Sequence, residues 1–390
     1  MARDSAAMGK RRTAEAGGEV TRSAPRPSPR PLLRRVRRLT AGLSHHRAPV
    51  WSQDGRHLAF LLGEGDDSYW VVIDRKGRLS RVITGPADGG ASFALDGSLA
   101  YGRAVGATSE IWLLPALAAT SKGPTGARRL LGGDGRLYLH PAFSPDGRYL
   151  AYVADDGLPG TARRLWCLDL QTDEHSLLLA ALPGPDTPSR LAYPVWSPTG
   201  DGLYFEAQTA EGSVIYVLPQ PGATTPLRLS AGGYRRPAPL GGGAVLCERG
   251  QPDGGSDLVV LLHPPAPTTA STATGLLAQV QEVPLRLGKS KRDGHDCLRD
   301  PAIGRGKRGL WLAFAATTHH ADGEPARCEL FTARVEGLRA APSRARGKGN
   351  EADKDRQTVP PVATDSVPPE RAAVPPVVAA DEPIAPSERP

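Results

Sequence analysis

The sequence predicts an all-β fold, and three observations predict it. A phrase recurs: PVWSQDGRHLAF at 49–60, HPAFSPDGRYLAYV at 140–153 and PVWSPTGDGLYF at 194–205. Each copy runs Pro, apolar, aromatic, Ser, a turn ending in Gly, then an alternating apolar stretch. The phrase and its looser copies recur at roughly 40–65 residues, the spacing of a repeated supersecondary unit. Composition agrees, because Gly 45 and Pro 38 in 390 residues suit many turns and short strands.

Each unit is predicted to hold four strands. The first carries the Pro–aromatic–Ser phrase. The second follows the turn: RHLAFLL (56–62), GSLAYGR (97–103), RYLAYVA (148–154), DGLYFEA (201–207), GAVLCER (243–249) and GLWLAFA (309–315). These are short, apolar and β-prone, and several alternate as half-buried strands do. The third follows a polar loop: YWVVID (69–74), EIWLLP (110–115), RLWCLDL (164–170), VIYVLP (214–219), DLVVLLH (257–263) and CELFTARV (328–335). The fourth starts basic or apolar: SRVIT (80–84), ARRLL (127–131), HSLLLA (175–180), PLRLS (226–230) and EVPLRLG (282–288).

No such unit buries its sheet alone, so copies must pack on one another in a β-propeller or a similar array. Turns near 54–55, 96–97, 146–147, 199–200, 241–242 and 304–306 mark six units. The fifth and sixth have lost most of the phrase and are placed by spacing and strand pattern. The sixth ends after its third strand, while RRVRRLT (34–40) is an orphan that reads like the fourth strands elsewhere. The expected fold is therefore a six-bladed β-propeller of four-stranded antiparallel blades, closed by the N-terminal strand completing the last blade. Closure of this kind removes an exposed sheet edge.

The phrase itself reads as scaffold. Pro145 fixes φ at the first turn corner, Asp146 can bond its own backbone, and Gly147 takes positive φ at little cost. The aromatics Trp51, Phe93, Phe143 and Trp196 are placed to wedge between neighbouring sheets.

The ends differ from the middle. Residues 1–30 are basic, Pro-rich and too poor in apolar side chains to offset the entropy of ordering, so a disordered leader is expected there. Residues 345–390, with their VPP and AVPPVV runs, read as a disordered Pro-rich tail, leaving 31–344 for the propeller. Residues 1–40 carry a formal +8 of the chain's +7, so the remainder is −1. The basicity belongs to the leader, and a nucleic-acid partner is not expected. Cys167, Cys247, Cys297 and Cys328 are scattered without metal-ligand spacing and read as buried free thiols, with a Cys297–Cys328 pair left open. No stretch reaches the ~20 apolar residues of a membrane helix, and no apolar core follows the N-terminal basic residues as in a signal peptide. The expectation is a cytoplasmic monomer as the sequence is written, periplasmic if translation starts upstream.

WSQDGRHLAF, FSPDGRYLAYV and WSPTGDGLYF, each followed by a loop and a strand, resemble the PD40 (WD40-like) repeat of TolB-type β-propellers. The resemblance covers about 35–340. It implies a six-bladed ring with a central channel and a bacterial protein-binding habit. In TolB itself the propeller is a periplasmic binding module of the Tol–Pal envelope system. The small α/β domain that precedes that propeller has no counterpart here, so the fold and the general binding habit carry over and the Tol–Pal role does not.

Catalytic signatures are missing from the sequence. There is no GxSxG elbow and no HEXXH, and LGKS (287–290) is not a P-loop, because the first Gly of GxxxxGK[ST] would fall at Val283. What remains is the channel mouth. The residues just before each innermost strand are His46, Arg47 and Ala48, then Gly89 and Gly90, His140, Tyr193, Arg235 with Arg236, and Arg299 with Asp300. A cationic, partly desolvated funnel built from them suits a carboxylate, a phosphate or an acidic peptide end. The opposing reading makes them solvated loop residues, offset by Asp66, Asp67, Asp155, Asp156, Asp253 and Asp322. The expected function is a non-enzymatic scaffold binding a protein or acidic peptide at the channel face, with no cofactor. The alternative is an enzyme or metal site built on His46 and His140 with Asp300. His319 and His320 read as an outer loop.

Overall fold

The computed structural model describes residues 31–40, 45–83, 85–116, 126–155, 162–182, 190–219, 223, 225–264, 277–287, 295–306, 309–318 and 327–336. The leader and tail expected at 1–30 and 345–390, the pair His319 and His320, and Asp156 and Asp322 lie outside these residues.

The alternating stretches form strands, and consecutive strands pair antiparallel. β1 (Leu32–Arg38) comes first and pairs with none of the strands that follow it directly. β2 (His46–Trp51), β3 (His57–Leu62), β4 (Tyr69–Asp74) and β5 (Leu79–Ile83) then pair in order as a meander. The meander recurs in β6 (Ala87–Phe93), β7 (Leu99–Val105), β8 (Thr108–Leu114) and β9 (Arg128–Leu131). It recurs again in β10 (Leu137–Phe143), β11 (Tyr149–Asp155), β12 (Arg164–Asp169) and β13 (Glu174–Leu179). β14 (Arg190–Trp196), β15 (Leu203–Thr209), β16 (Gly212–Leu218) and β17 (Leu227–Arg228) make the next unit. β18 (Tyr234–Gly241), β19 (Ala244–Gly250), β20 (Ser256–Leu262) and β21 (Gln281–Pro284) follow, and then a short β22 (Arg286–Leu287).

The last unit takes three strands from the far end of the sequence: β23 (His295–Gly306), β24 (Gly309–Thr318) and β25 (Arg327–Glu336). Its fourth strand is β1, antiparallel to β25 with Leu33 opposite Val335. The orphan RRVRRLT thus completes the last sheet. Single parallel residue pairs, Leu137 with Ser109 and Ser256 with Cys297, join some neighbouring units, so the pairing runs as sheets of eight, nine, four and four strands.

Two details depart from the sequence reading. EVPLRLG is not one strand. Its first part, β21, pairs antiparallel with β20, whereas β22 turns away and pairs parallel with β1, Leu32 opposite Arg286. Pro284 sits at the break, where a residue without an N–H ends a ladder. The sixth turn is also displaced. Gly304 lies inside β23, where a Cβ would meet the Trp51 ring at 2.6 Å, and the hairpin closes between Gly306 and Gly309.

The turn chemistry is as the phrase suggests, with serine as an added player. Ser144 Oγ accepts the Tyr149 N–H (2.9 Å) and donates to Asp146, whose Oδ1 accepts the Arg148 N–H (3.1 Å). Ser52 and Asp54 repeat this around Arg56 and His57. The serine therefore satisfies backbone donors that the turn leaves over.

The core lies at the seams. Phe93 packs with Ala59, Trp70 and Val72 of the preceding unit, and Phe143 with Ala94, Ala100 and Ile111 of the unit before it. Trp196 Nε1 donates to the Ala142 carbonyl (3.1 Å) across its seam. Trp51 packs against Ala313, Ala315 and Leu330 of the last unit. Further clusters join the third unit to the fourth, the fourth to the fifth and the fifth to the last. An aromatic wedge buries some 150–250 Å², about 4–6 kcal/mol per seam at 25 cal/mol/Å². The four cysteines are buried and free, and β24 separates Cys297 from Cys328. No helix among the described residues is long and apolar enough to cross a membrane.

Candidate functional site: the central channel

The innermost strands share one local irregularity. Proline follows Ala48, His140, Tyr193, Arg236 and Asp300, and proline has no N–H to give a ladder. The register shifts at each of these places, in β2, β10, β14, β18 and β23, and also in β6. At each such bulge the residue before proline is left-handed: Ala48 (φ 48), His140 (53), Tyr193 (49), Arg236 (53) and Asp300 (49). In β6 the place is taken by Gly89 (65) and Gly90 (90), which need no compensation. Five non-glycine residues in this region cost about 1–3 kcal/mol each. The bulge turns each of their side chains inward, onto one cavity of about 340 Å³.

Ala48, Gly90, His140, Tyr193, Arg236 and Asp300 ring that cavity, and Pro49, Pro141, Pro194, Pro237 and Pro301 wall it. The Arg236 guanidinium lies 3.6 Å above the Tyr193 ring centroid, and the Tyr193 and His140 rings are 3.9 Å apart and tilted by 44°. Three consecutive units thus contribute one stack. Arg236 Nε faces Asp300 Oδ1 at 3.2 Å, and Asp300 Oδ2 accepts the Ala48 N–H at 3.0 Å.

A second tier of carboxylates holds the bulges. Glu206 on β15 accepts the Arg236 N–H (3.1 Å) and the Ser213 hydroxyl proton (2.9 Å). Glu248 on β19 accepts the Asp300 N–H (3.4 Å). Both are buried, and each reaches the bulge of the next unit. Burial, then the Asp300 charge, pushes the Glu248 carboxyl up from its ordinary value. Burial works against the charge on Arg236, but Asp300, Tyr193 and the two glutamates outweigh it and raise its pKa. His140 is 8% exposed, and burial, reinforced by Arg236 and Arg163, drops its pKa well below the ordinary value.

Of the eight polar or charged residues singled out in the sequence, the structure brings His140, Tyr193, Arg236 and Asp300 together. The other four do not line the cavity. His46 is buried against Phe60 with Nδ1 3.4 Å from the Cys328 carbonyl. Arg47 donates to the Gly63 carbonyl (3.3 Å), Arg235 is exposed, and Arg299 donates to Cys297 Sγ (2.7 Å). Arg47, Arg235 and Arg299 each stand one position before a bulge residue, and side chains along a strand alternate in direction; His46 lies before the register shift of β2, against Phe60. His46 and His140 are therefore not a pair, and among the described residues no group of three His, Cys, Asp or Glu is placed to hold a metal ion.

The balancing acids also differ from those the sequence offered. Asp66, Asp67 and Asp253 are exposed, and Asp155 lies 3.6 Å from Arg163. Asp300, Glu206 and Glu248 do the balancing instead. Sequence reading missed the two glutamates, although each stands in the second strand of its unit, in YFEAQ and LCERG, where an acid interrupts an apolar run. It also missed Arg305, which lines the cavity further along β23 and donates to the Leu240 carbonyl (2.8 Å).

No family model and no curated protein matches the chain. Among solved structures it is similar to TolB from Acinetobacter baumannii, with a TM-score of 0.49 and 16% identity over 68% of this chain and 58% of that one. The chain thus spans less than two thirds of that structure. It is also similar to a putative TolB from Agrobacterium tumefaciens (TM-score 0.43, 20% identity, 58% of this chain and 79% of that one). An oligogalacturonate lyase from Vibrio parahaemolyticus is a third (TM-score 0.45, 12% identity, 77% and 93%). By its strand pairing and its repeat phrase, the chain is an all-β propeller that resembles the TolB type.

Proposed function

We propose that this chain is a six-bladed, TolB-like binding scaffold that holds a protein or peptide at its channel face without chemistry of its own. One observation carries the reading: five equivalent bulges with left-handed residues deliver Ala48, His140, Tyr193, Arg236 and Asp300 to one cavity. Backbone strain concentrated at a single place is a mark of a functional constraint. The volume, about 340 Å³, lies within the range of ligand sites, roughly 300–1,000 Å³. The wall of prolines and stacked rings makes the site rigid before anything binds, which lowers the entropic cost of association.

The test is affinity capture from native lysate with the full-length protein beside its Arg236→Glu variant, the melting temperature of both being measured. The expected result is a partner held by the wild type and lost by a variant that is still folded. A partner held equally by both, or no specific partner, overturns the proposal.

A further inference from the structure

The polar atoms that ring the channel divide into two groups. The carboxylates are already engaged. Asp300 takes the Ala48 N–H and faces Arg236, Glu206 takes the Arg236 N–H and the Ser213 hydroxyl, and Glu248 takes the Asp300 N–H. The nitrogen groups are not. His140 Nδ1 is buried and meets no hydrogen-bond partner among the described residues, and in a neutral imidazole it donates or accepts according to the tautomer. Arg236 faces Asp300 through Nε, and among the described residues no acceptor hydrogen-bonds its two Nη groups. On the cavity the unspent capacity therefore lies in the Nη groups of Arg236, which can only donate, and what they lack is an acceptor.

Charge narrows the class. Two guanidinium groups, Arg236 and Arg305, and one carboxylate, Asp300, line the cavity, so it balances one further negative charge at most. A guanidinium fork with two adjacent free amino groups matches the two oxygens of a carboxylate. A phosphate dianion would bring a second charge into a buried site with nothing to pair it.

We propose that the channel is a carboxylate clamp in which the Nη pair of Arg236 takes the two oxygens. The body of the ligand lies against the prolines. The inference rests on the channel face being where this propeller binds, and it names what is bound there. The carboxylate comes from a small organic acid or from the end of a peptide.

Calorimetry on the full-length protein tests it with three probes: N-acetyl-trialanine as the free acid, the same peptide as its C-terminal amide, and butyrate. The free acid is expected to bind at least tenfold more tightly than the amide. Arg236→Gln is expected to remove that preference, and Arg235→Gln, at an exposed neighbour outside the cavity, to keep it. Arg236→Lys retains the charge without the fork and is expected to lose most of the preference, which keeps the test decisive if the glutamine variant does not fold. Butyrate competing with the peptide acid assigns the small-acid source, and peptide binding without competition assigns the peptide end. Equal binding of acid and amide, or binding of none of the probes, overturns the clamp. A lysate partner that depends on Arg236 without carboxylate preference leaves the scaffold standing and removes the clamp. Carboxylate binding without a lysate partner does the reverse.

Discussion

Replacing Leu33 by alanine probes the place where β1 meets β25. Leu33 is 1% exposed and belongs to the cluster that holds Leu310, Phe331 and Val335. Its side chain enters from β1 and is enclosed by strands that are paired on both sides, so the space cannot collapse when methyl groups are removed. Buried leucine-to-alanine changes cost about 2–5 kcal/mol, more where the site cannot relax. About 3 kcal/mol is expected here, or some 6 °C in melting temperature at ~2 °C per kcal/mol for a domain of this size. Leu79→Ala is the control, because Leu79 is 65% exposed and surface changes stay within about 0.5 kcal/mol. Thermal melts and urea titrations of both variants, followed by near-ultraviolet circular dichroism, read the difference. Leu33→Ala melting within 1 °C of the wild type would refute the reasoning, since β1 could not then be a packed member of the last sheet.

Three further outcomes are expected. Gly102→Ala places a Cβ 1.8 Å from the Asp88 carbonyl oxygen, and such overpacking costs about 3 kcal/mol or more, visible as a lower urea midpoint. Glu206→Ala strips the acceptor from the Arg236 N–H and lowers stability by about 1–3 kcal/mol, whereas Glu206→Gln keeps an acceptor and costs less; equal losses in urea titrations would count against the carboxylate tier. Burial holds the pKa values of His46, His140 and His263 below their ordinary value. The unfolded chain therefore binds more protons below its own pKa of about 6.5, so this contribution is complete above that value and is lost as pH falls toward the folded pKa values. Each such histidine removes up to about 1.4 kcal/mol per pH unit in that window. Melting temperatures should decline on acidification from about pH 7 to pH 5, with a shallower slope in His140→Gln; a flat profile contradicts the buried neutral state.

The strands were legible because alternation and turn chemistry are local. RYLAYVA and RLWCLDL became β11 and β12 almost residue for residue. The closing role of RRVRRLT was legible too, since a missing fourth strand and a surplus strand can be matched by counting. The channel was half legible. Placing His140, Tyr193, Arg236 and Asp300 needed only the repeat, but separating them from His46, Arg47, Arg235 and Arg299 needed the register. The register is set by a bulge, and one position of slip sends a side chain to the other face. The X-Pro pair in the inner strands was the available signal for that bulge. The partners Glu206 and Glu248 come from neighbouring units, and nothing local in the sequence says which bulge each one reaches.

Pairing β1 with β25 also fixes an order of events during synthesis. Leu33 and Val335 are about 300 residues apart, so at 5–20 residues per second the first strand waits on the order of 15–60 s for its partner to be made. Through most of that interval LLRRVRR has no strand to pair with. Four arginines in seven residues keep such a segment from adding to a foreign edge while it waits. The same side chains later make the surface of the finished sheet, where Arg34 meets Glu336 and Arg38 meets Glu329. The basic strand is thus suited both to delay and to docking, and the ring becomes complete only when the last strand arrives.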